Sequence, residues 1–232
     1  MDDGSHDLAE SLAMLKMAFE HGTSDIVATP HASFRYKFDS RLVAERLREL
    51  QEASGGLPKV HSGCDFHLSA ANINDLLDNP RKYTINGLTY LMVEFPDMQI
   101  SPATEQILQR FLDLEVIPVI THPERNPILQ TAPERLRDWA SMGCLVQITA
   151  QSLWDRFGKD AQESSWMLLR QGLVHVIASD AHDTVHRPPR LDRAWQYIQR
   201  ELGAETAWKL FIDHPASIIK GEPLSARDRA SD

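Results

Sequence analysis

Six residues of two chemical types close short apolar runs along this chain. His31 follows Asp25-Ile26-Val27-Ala28-Thr29-Pro30, Asp65 follows the run from Lys59 to Cys64, and Glu94 follows Tyr90 to Val93. His122 follows Ile117 to Thr121, and Asp180 and His182 follow Val174 to Ser179. A single imidazole or carboxylate at the end of a strand is ordinarily a satisfied polar side chain. Parallel strands, however, present all their carboxyl ends to one rim, where α/β proteins assemble their chemistry. Carboxylates gathered there without a cation would repel one another strongly. The mixed nitrogen and oxygen set therefore predicts a cluster of divalent ions such as Mn²⁺, Fe²⁺ or Zn²⁺. It suits neither a cysteine-rich structural zinc site nor an all-oxygen calcium site.

Two arginines fall near the same rim. Arg125 comes three residues after His122 in a His-Pro-Glu-Arg turn, and Arg187 lies in the loop after His182, before Pro188-Pro189. Guanidinium groups beside a metal cluster supply bidentate hydrogen bonds and charge neutralisation to a phosphoryl dianion. Glu124 in the same turn reads as a helix-start or salt-bridge residue. His61 and His175 lie inside strands and read as hydrogen-bonded wall positions. His21, His186 and His214 read as exposed or capping, and His6 and His67 as rim residues able to support ligands.

The elements that must position these groups alternate. Strands are expected at 25–29, 59–64, 90–93, 117–121, 145–149 and 174–179, each a short Val/Ile-rich run of the buried parallel type. Amphipathic helices fall between them. Asp7 and Glu10 have capping-box spacing, with Leu8, Leu12, Leu15 and Phe19 on one face. Others follow Ser40, cover 107–112, open at Pro133, end at Gly172, and span 191–202 and 204–212. The stretch 66–87 reads as an irregular insertion over the rim with one helical piece near 73–77. This order implies α/β architecture with a parallel sheet and right-handed crossovers. A single domain over 1–222 is expected, with a polar, frayed tail from 223 to 232.

Bulk properties narrow the partners. The chain has 232 residues, 42% of them hydrophobic, and a formal net charge of −9. That charge argues against a broad nucleic-acid or anionic-membrane surface, so any phosphate chemistry rests on a local cluster of cations. No apolar stretch approaches a membrane span, and Met1-Asp2-Asp3-Gly4 is not a leader, so a cytoplasmic protein is expected. Cys64 and Cys144 share no metal or redox spacing and read as reduced core thiols.

Asp2-Asp3-Gly4-Ser5, Ala28-Thr29-Pro30-His31, Val93-Glu94-Phe95-Pro96, Thr121-His122-Pro123-Glu124-Arg125 and Ala178-Ser179-Asp180-Ala181-His182 occur in this order. The set resembles the bacterial protein-tyrosine phosphatases of capsule and exopolysaccharide operons, members of the polymerase-and-histidinol-phosphatase (PHP) superfamily. The resemblance runs from residue 2 to about 220. It implies a distorted (β/α)7 TIM-like barrel with up to three divalent metals, typically Mn²⁺. One would be held by Asp3, His31 and His182, and a second by Asp65, Glu94 and His122. A third would use Asp65 and Asp180 with two histidines of a His-x-His motif. That motif closes the family's first strand and precedes the Asp-Asp-Gly found here at the start, so the first strand is expected to be missing from this chain. An upstream natural start is the expected reason. Asp65 also stands where the family usually has Glu, a shorter bridging arm.

For an intact site the expected reaction is direct hydrolysis of a phosphotyrosine ester by metal-activated water. Arg125 and Arg187 would spread charge on the phosphoryl oxygens, and His182 or Asp180 would assist the leaving tyrosinate. The resemblance implies a partner: the tyrosine-rich tail of a bacterial tyrosine autokinase controlling polysaccharide export. Two alternatives stay open. One is a small-molecule phosphoesterase of the histidinol-phosphatase kind; the other is a non-catalytic regulatory module, motivated by the absent His-x-His.

Overall fold

The structure, a computed structural model, describes residues 2–224. Residues 225–232 of the expected tail lie outside the described residues. The described strands are β1 (Asp25–Ala28), β2 (His31–Ala32), β3 (Lys59–Ser62), β4 (Asp65–His67), β5 (Tyr90–Glu94), β6 (Ile117–Thr121), β7 (Leu145–Thr149) and β8 (Val176–Ala178). Helices α1 (Leu8–Glu20), α2 (Ser40–Ala53), α3 (Ala70–Asp78), α4 (Thr104–Asp113), α5 (Pro127–Thr131), α6 (Pro133–Met142) and α7 (Lys159–Arg170) connect them. After β8 come α8 (Asp192–Leu202), α9 (Ala204–Trp208) and α10 (His214–Lys220), the last two joined by a π turn. The expected capping box holds α1: the Asp7 carboxylate accepts from Glu10 N at 2.8 Å and Glu10 Oε2 from His6 N at 2.7 Å.

All pairing is parallel. Six strands form one sheet in the order β2-β4-β5-β6-β7-β8, and β1 pairs with β3 in a separate ribbon. The strands expected at 25–29 and 59–64 end close to their expected bounds, at Ala28 and Ser62, and each is followed by a short strand that was not expected, β2 and β4. Pro30, having no N–H to donate, interrupts the first pair. Gly63 interrupts the second, where a Cβ would stand 2.7 Å from Val27 Cγ1, so only glycine lets the two ribbon strands approach this closely. The ladder resumes across the break with Asp65 N donating to Pro30 O at 3.1 Å. The reading of 66–87 as irregular is corrected at its start: Phe66 and His67 continue β4.

Alternation along the strands explains both core and site. Leu91, Val93, Ile120, Val146, Ile148 and Ile177 belong to the large core packed by the helices, with Phe111, Leu136, Trp139, Leu168 and Ile198. Their neighbours Tyr90, Met92, Val119, Leu145 and Val176 point the other way, into a smaller cluster with Ile85, Ile218 and Leu224. Leu224 is buried there, so packed chain reaches past the expected boundary at 222. Continuing that second set toward the carboxyl ends, the side chains turn polar: Glu94 on β5, Thr121 on β6, Gln147 and Thr149 on β7. The inner face is apolar at the bottom and acidic or hydrogen-bonding at the top.

His61 and His175 are buried wall residues as expected; His61 Nε2 pairs with Asp25 at 2.8 Å and His175 Nδ1 accepts from Val146 N at 3.1 Å. His214 corrects its expectation of exposure. It is buried, and its Nδ1–H donates to His175 O at 2.7 Å, fastening α10 beneath β8.

Candidate active site

Register alone brings the first ligands together. His31 is the cross-strand partner of Asp65, and His67 of Glu94. His31 Nδ1 stands 3.3 Å from Glu94 Oε2 and 3.9 Å from Asp65 Oδ2, while His67 Nε2 is 2.6 Å from Glu94 Oε2. His122, from the end of β6, places Nε2 3.7 Å from Asp65 Oδ2 and 3.6 Å from Glu94 Oε1. Thr121 Oγ1 donates to Val93 O at 3.1 Å and reaches Asp65 Oδ1 at 3.4 Å, steadying that carboxylate.

The N-terminal segment closes the ring. Asp3 Oδ1 lies 3.5 Å from His31 Nε2 and 3.7 Å from His182 Nε2. His31 and His182 follow from the two edge strands of the sheet, so Asp3 marks where those edges curl toward each other. Its neighbour Asp2 accepts from His31 N at 2.8 Å, an anchor that sequence reading missed. Within these residues, Asp3, His31 and His182 form one compact ligand group and His31, Asp65 and Glu94 another, the donor atoms of each within 4.8 Å of one another. The first matches the set implied by the resemblance. In the second, His31 takes the place expected for His122, which stands just beyond.

Protonation follows the crowding. The Glu94 carboxylate, against partial burial and with help from Asp65 and Asp3, lifts His31 to about 9. Glu94 likewise raises His67, and at His122 the Asp65 carboxylate outweighs burial, which pulls the other way. Burial would raise Glu94, but the imidazoles of His31 and His67 hold it well below the usual carboxylate range. Glu94 Oε2 is buried with two imidazole nitrogens beside it, His67 Nε2 at 2.6 Å and His31 Nδ1 at 3.3 Å. Nitrogens and oxygens converging in this way form a donor set that suits a divalent cation once the imidazoles are neutral. The residues present fit such a cluster.

Beside it sit both arginines. Arg125 Nη1 and Arg187 Nη2 each donate to the same oxygen, Asp180 Oδ2. Asp180 therefore spans the two: its Oδ2 faces the guanidinium pair, and its Oδ1 is 4.0 Å from Nδ1 of His182, a member of the first ligand group. Burial lowers the Arg187 pKa, Asp180 opposing. Among the described residues, Arg187 Nε is a buried donor without a partner, which costs about 1–3 kcal/mol until an acceptor arrives. His122 (φ 34°) and Asp180 (φ 49°) occupy the left-handed region, a conformation that costs a non-glycine residue about 1–3 kcal/mol and recurs at functional sites. Asp183 shapes the loop below: its Oδ1 accepts from the backbone N–H groups of Val185, His186 and Arg187.

Glu124 lies in the first turn of a short 3-10 helix, Pro123–Arg125, as one of its two expected readings has it, and among the described residues it makes no ion pair. It is wholly buried, accepting from Thr149 N at 2.9 Å and Ser152 Oγ at 2.7 Å, and burial raises its pKa. It ties the His122–Arg125 turn to the segment after β7. A cavity of about 110 Å³ opens between Glu94, His122 and Arg125 on one side and Phe95 and Leu129 on the other. Cys64 and Cys144 are buried, and burial raises both thiols, Cys144 to about 12, so neither supplies a thiolate nucleophile.

His67, expected at the rim in support of the ligands, stands two residues from Asp65, the strand period, so it faces the same side. Two aromatic groups escaped the sequence reading. Tyr36 stacks on His31 with centroids 6.1 Å apart, and Phe157 lies under both arginines. Neither aromatic has a local sequence signal; both arrive through loops.

Known proteins share this arrangement of strands. CapC of Staphylococcus aureus is 35% identical over 229 residues, covering 97% of this chain and 86% of CapC. Tyrosine-protein phosphatase YwqE of Bacillus subtilis is 32% identical over 90% of the chain and 84% of its own length. Tyrosine-protein phosphatase CpsB of Streptococcus pneumoniae is 28% identical over 94% of the chain and 93% of its own. The crystal structures of YwqE and CpsB, described as unique metal-dependent tyrosine phosphatases, include a chain that superposes with a TM-score of 0.90 at 29% identity. That match covers 97% of this chain and 92% of the other, so the expected PHP-type α/β fold is the fold observed. The model of the capsular polysaccharide synthesis family CpsB/CapC spans residues 1–220, and with the rim geometry just described it places this chain within that family.

Proposed function

We propose that this protein is a metal-dependent protein-tyrosine phosphatase acting in capsular or exopolysaccharide synthesis. The observation that carries the reading is the pairing of Arg125 and Arg187 on Asp180 beside the imidazole and carboxylate cluster. Asp3, His31 and His182 would hold one divalent ion, and Asp65, Glu94 and His122 a second, with Asp180 available to a third. When bound, such ions, with Mn²⁺ the preferred assignment and Fe²⁺ or Zn²⁺ the others, lower the pKa of water and polarise phosphoryl oxygens.

The chain's own residues do the rest. Arg125 and Arg187 grip the phosphoryl oxygens, and the unpaired Arg187 Nε gains its acceptor when they arrive. Their charge stabilises the more negative transition state. His182 or Asp180 assists the departing tyrosinate, which at a phenol pKa of about 10 needs less protonation than an alkoxide. His67 and Thr121 keep Glu94 and Asp65 in place.

The substrate we infer is the phosphotyrosine tail of a bacterial tyrosine autokinase, and the packed chain through Leu224 acts as one catalytic domain. The phosphatase names of the relatives favour a phosphoprotein over histidinol phosphate. No described helix is long and apolar enough to cross a membrane. Action in the cytoplasm fits two free thiols, Cys64 and Cys144.

The test is inhibitor and substrate selectivity of the purified chain. Phosphotyrosine peptide should be turned over in preference to phosphoserine peptide and histidinol phosphate. Iodoacetamide should leave the rate unchanged and a chelator should abolish it. Loss of activity to alkylation with resistance to chelation would refute the reading.

A further inference from the structure

Two like-charged guanidinium groups do not stand side by side without support. Asp180 supplies one, because both arginines share its Oδ2. The second lies beneath them. Arg125 Cζ is 4.3 Å from the ring centroid of Phe157, and Arg187 Cζ is 5.7 Å from the same centroid. An aromatic face attracts cations at this range, and more strongly where water is partly excluded.

The ring is held by the segment that follows β7, and that segment is fastened to both arginine-bearing loops. Thr149 N and Ser152 Oγ bind Glu124, the residue before Arg125. Arg156 Nε donates to the carbonyl of His186, the residue before Arg187, at 3.1 Å. Phe157 is half-buried between Asp155 and Gly158, both at positive φ, 46° and 89°. The chain thus turns on either side of Phe157, the one residue among those described whose ring meets both cations.

We propose that Phe157 is a positioning residue: its ring holds Arg125 and Arg187 at the rim as a paired receptor for a phosphoryl dianion. Asp180 occupies one nitrogen of each guanidinium, Arg125 Nη1 and Arg187 Nη2, and so takes donors that an anion would otherwise use. The ring attracts the cations without offering an oxygen acceptor, so it does not displace phosphate from their N–H groups. An aliphatic side chain of similar size fills the space but offers no such attraction. The proposal rests on the phosphatase reading for the identity of the anion, and its primary test needs no turnover.

Inorganic phosphate binding to the full chain supplied with Mn²⁺, followed by calorimetry, reads the ring's contribution. Phe157→Leu should weaken it about tenfold, and Phe157→Tyr should restore it to within about twofold. Metal content should be the same in all three proteins, and KM for an aryl phosphate should rise in Phe157→Leu while kcat changes little. Unchanged phosphate affinity in Phe157→Leu overturns the proposal, as does a Tyr variant as weak as Leu. Should Phe157→Leu fail to fold, Phe157→Trp carries the test: binding as tight as wild type supports the ring's role, and weaker binding overturns it. Ring-dependent phosphate binding without phosphotyrosine turnover would support this role while overturning the phosphatase reading. Turnover with ring-independent binding would overturn this role alone.

Discussion

At His31, protons and cations compete for one pair of nitrogens. In the metal-free protein the neighbouring Glu94 carboxylate holds this ring protonated up to about pH 9, above the ordinary histidine value. A ligand imidazole must be neutral, so ion uptake expels that proton. Below pH 9 each added proton equivalent weakens binding; Mn²⁺ affinity should therefore rise steadily from pH 6.5 to 8.5, with proton release detectable in weakly buffered titrations. A flat affinity across that window would remove His31 from the ligand set. Arg125 and Arg187 pose a different question, of shape rather than charge. Lysine keeps the cation but loses the planar fork, so Arg125→Lys and Arg187→Lys should each lower kcat/KM on phosphotyrosine peptide about 10²-fold, with metal content unchanged. Steady-state kinetics checks this; a loss below threefold would show that charge alone suffices.

Among the elements, the breaks at Pro30 and Gly63 decide where the site begins. They shift His31 and Asp65 out of the β1–β3 ribbon and into the main sheet, directly opposite each other in its register. Gly63→Ala would drive a methyl to 2.7 Å from Val27 Cγ1. A destabilisation of about 1–3 kcal/mol is expected, read as a lower midpoint in urea, and Val27→Ala in the same chain should recover part of it. Additive losses in the double variant would mean the close approach is not the cause. The strand ends carrying Glu94, His122, Asp180 and His182 were legible because a Val/Ile run stopped by a polar residue is a local signal. Ser62-Gly63-Cys64-Asp65 was legible as a strand end but not as a break, since the contact that demands glycine comes from β1, 36 residues earlier. His67 was placed at the rim but not on a strand, because Phe66 was read as the start of an irregular stretch, which hid the two-residue spacing from Asp65. His214 was misplaced because its partner, the carbonyl of His175, lies on a strand that no local pattern connects to α10. Phe157 and Tyr36 depend on loop paths, and turn-rich sequence fixes those only in the packed molecule.

Over the whole molecule, one sheet with two differently coloured ends explains why the chemistry sits where it does. Inward positions are apolar from Tyr90 and Leu145 down to Ile218 and Leu224, and polar from Glu94 and Thr149 upward. The closed bottom gives rigidity; the polar top gathers ligands that lie far apart along the chain, from Asp3 to His182. This gradient, and the fold class with it, could be read from the ordered motifs, whereas the curling of the edge strands toward Asp3 needed coordinates. The central claim is that this rim holds divalent ions that, with the two arginines, hydrolyse phosphotyrosine. The most direct measurement is phosphate release from a phosphotyrosine peptide by metal-stripped protein as Mn²⁺ is titrated back. The account predicts no release from the stripped protein, a rise that tracks bound Mn²⁺, and no recovery in Glu94→Gln. Release that persists without metal, or a Glu94→Gln variant that recovers like wild type, would contradict it.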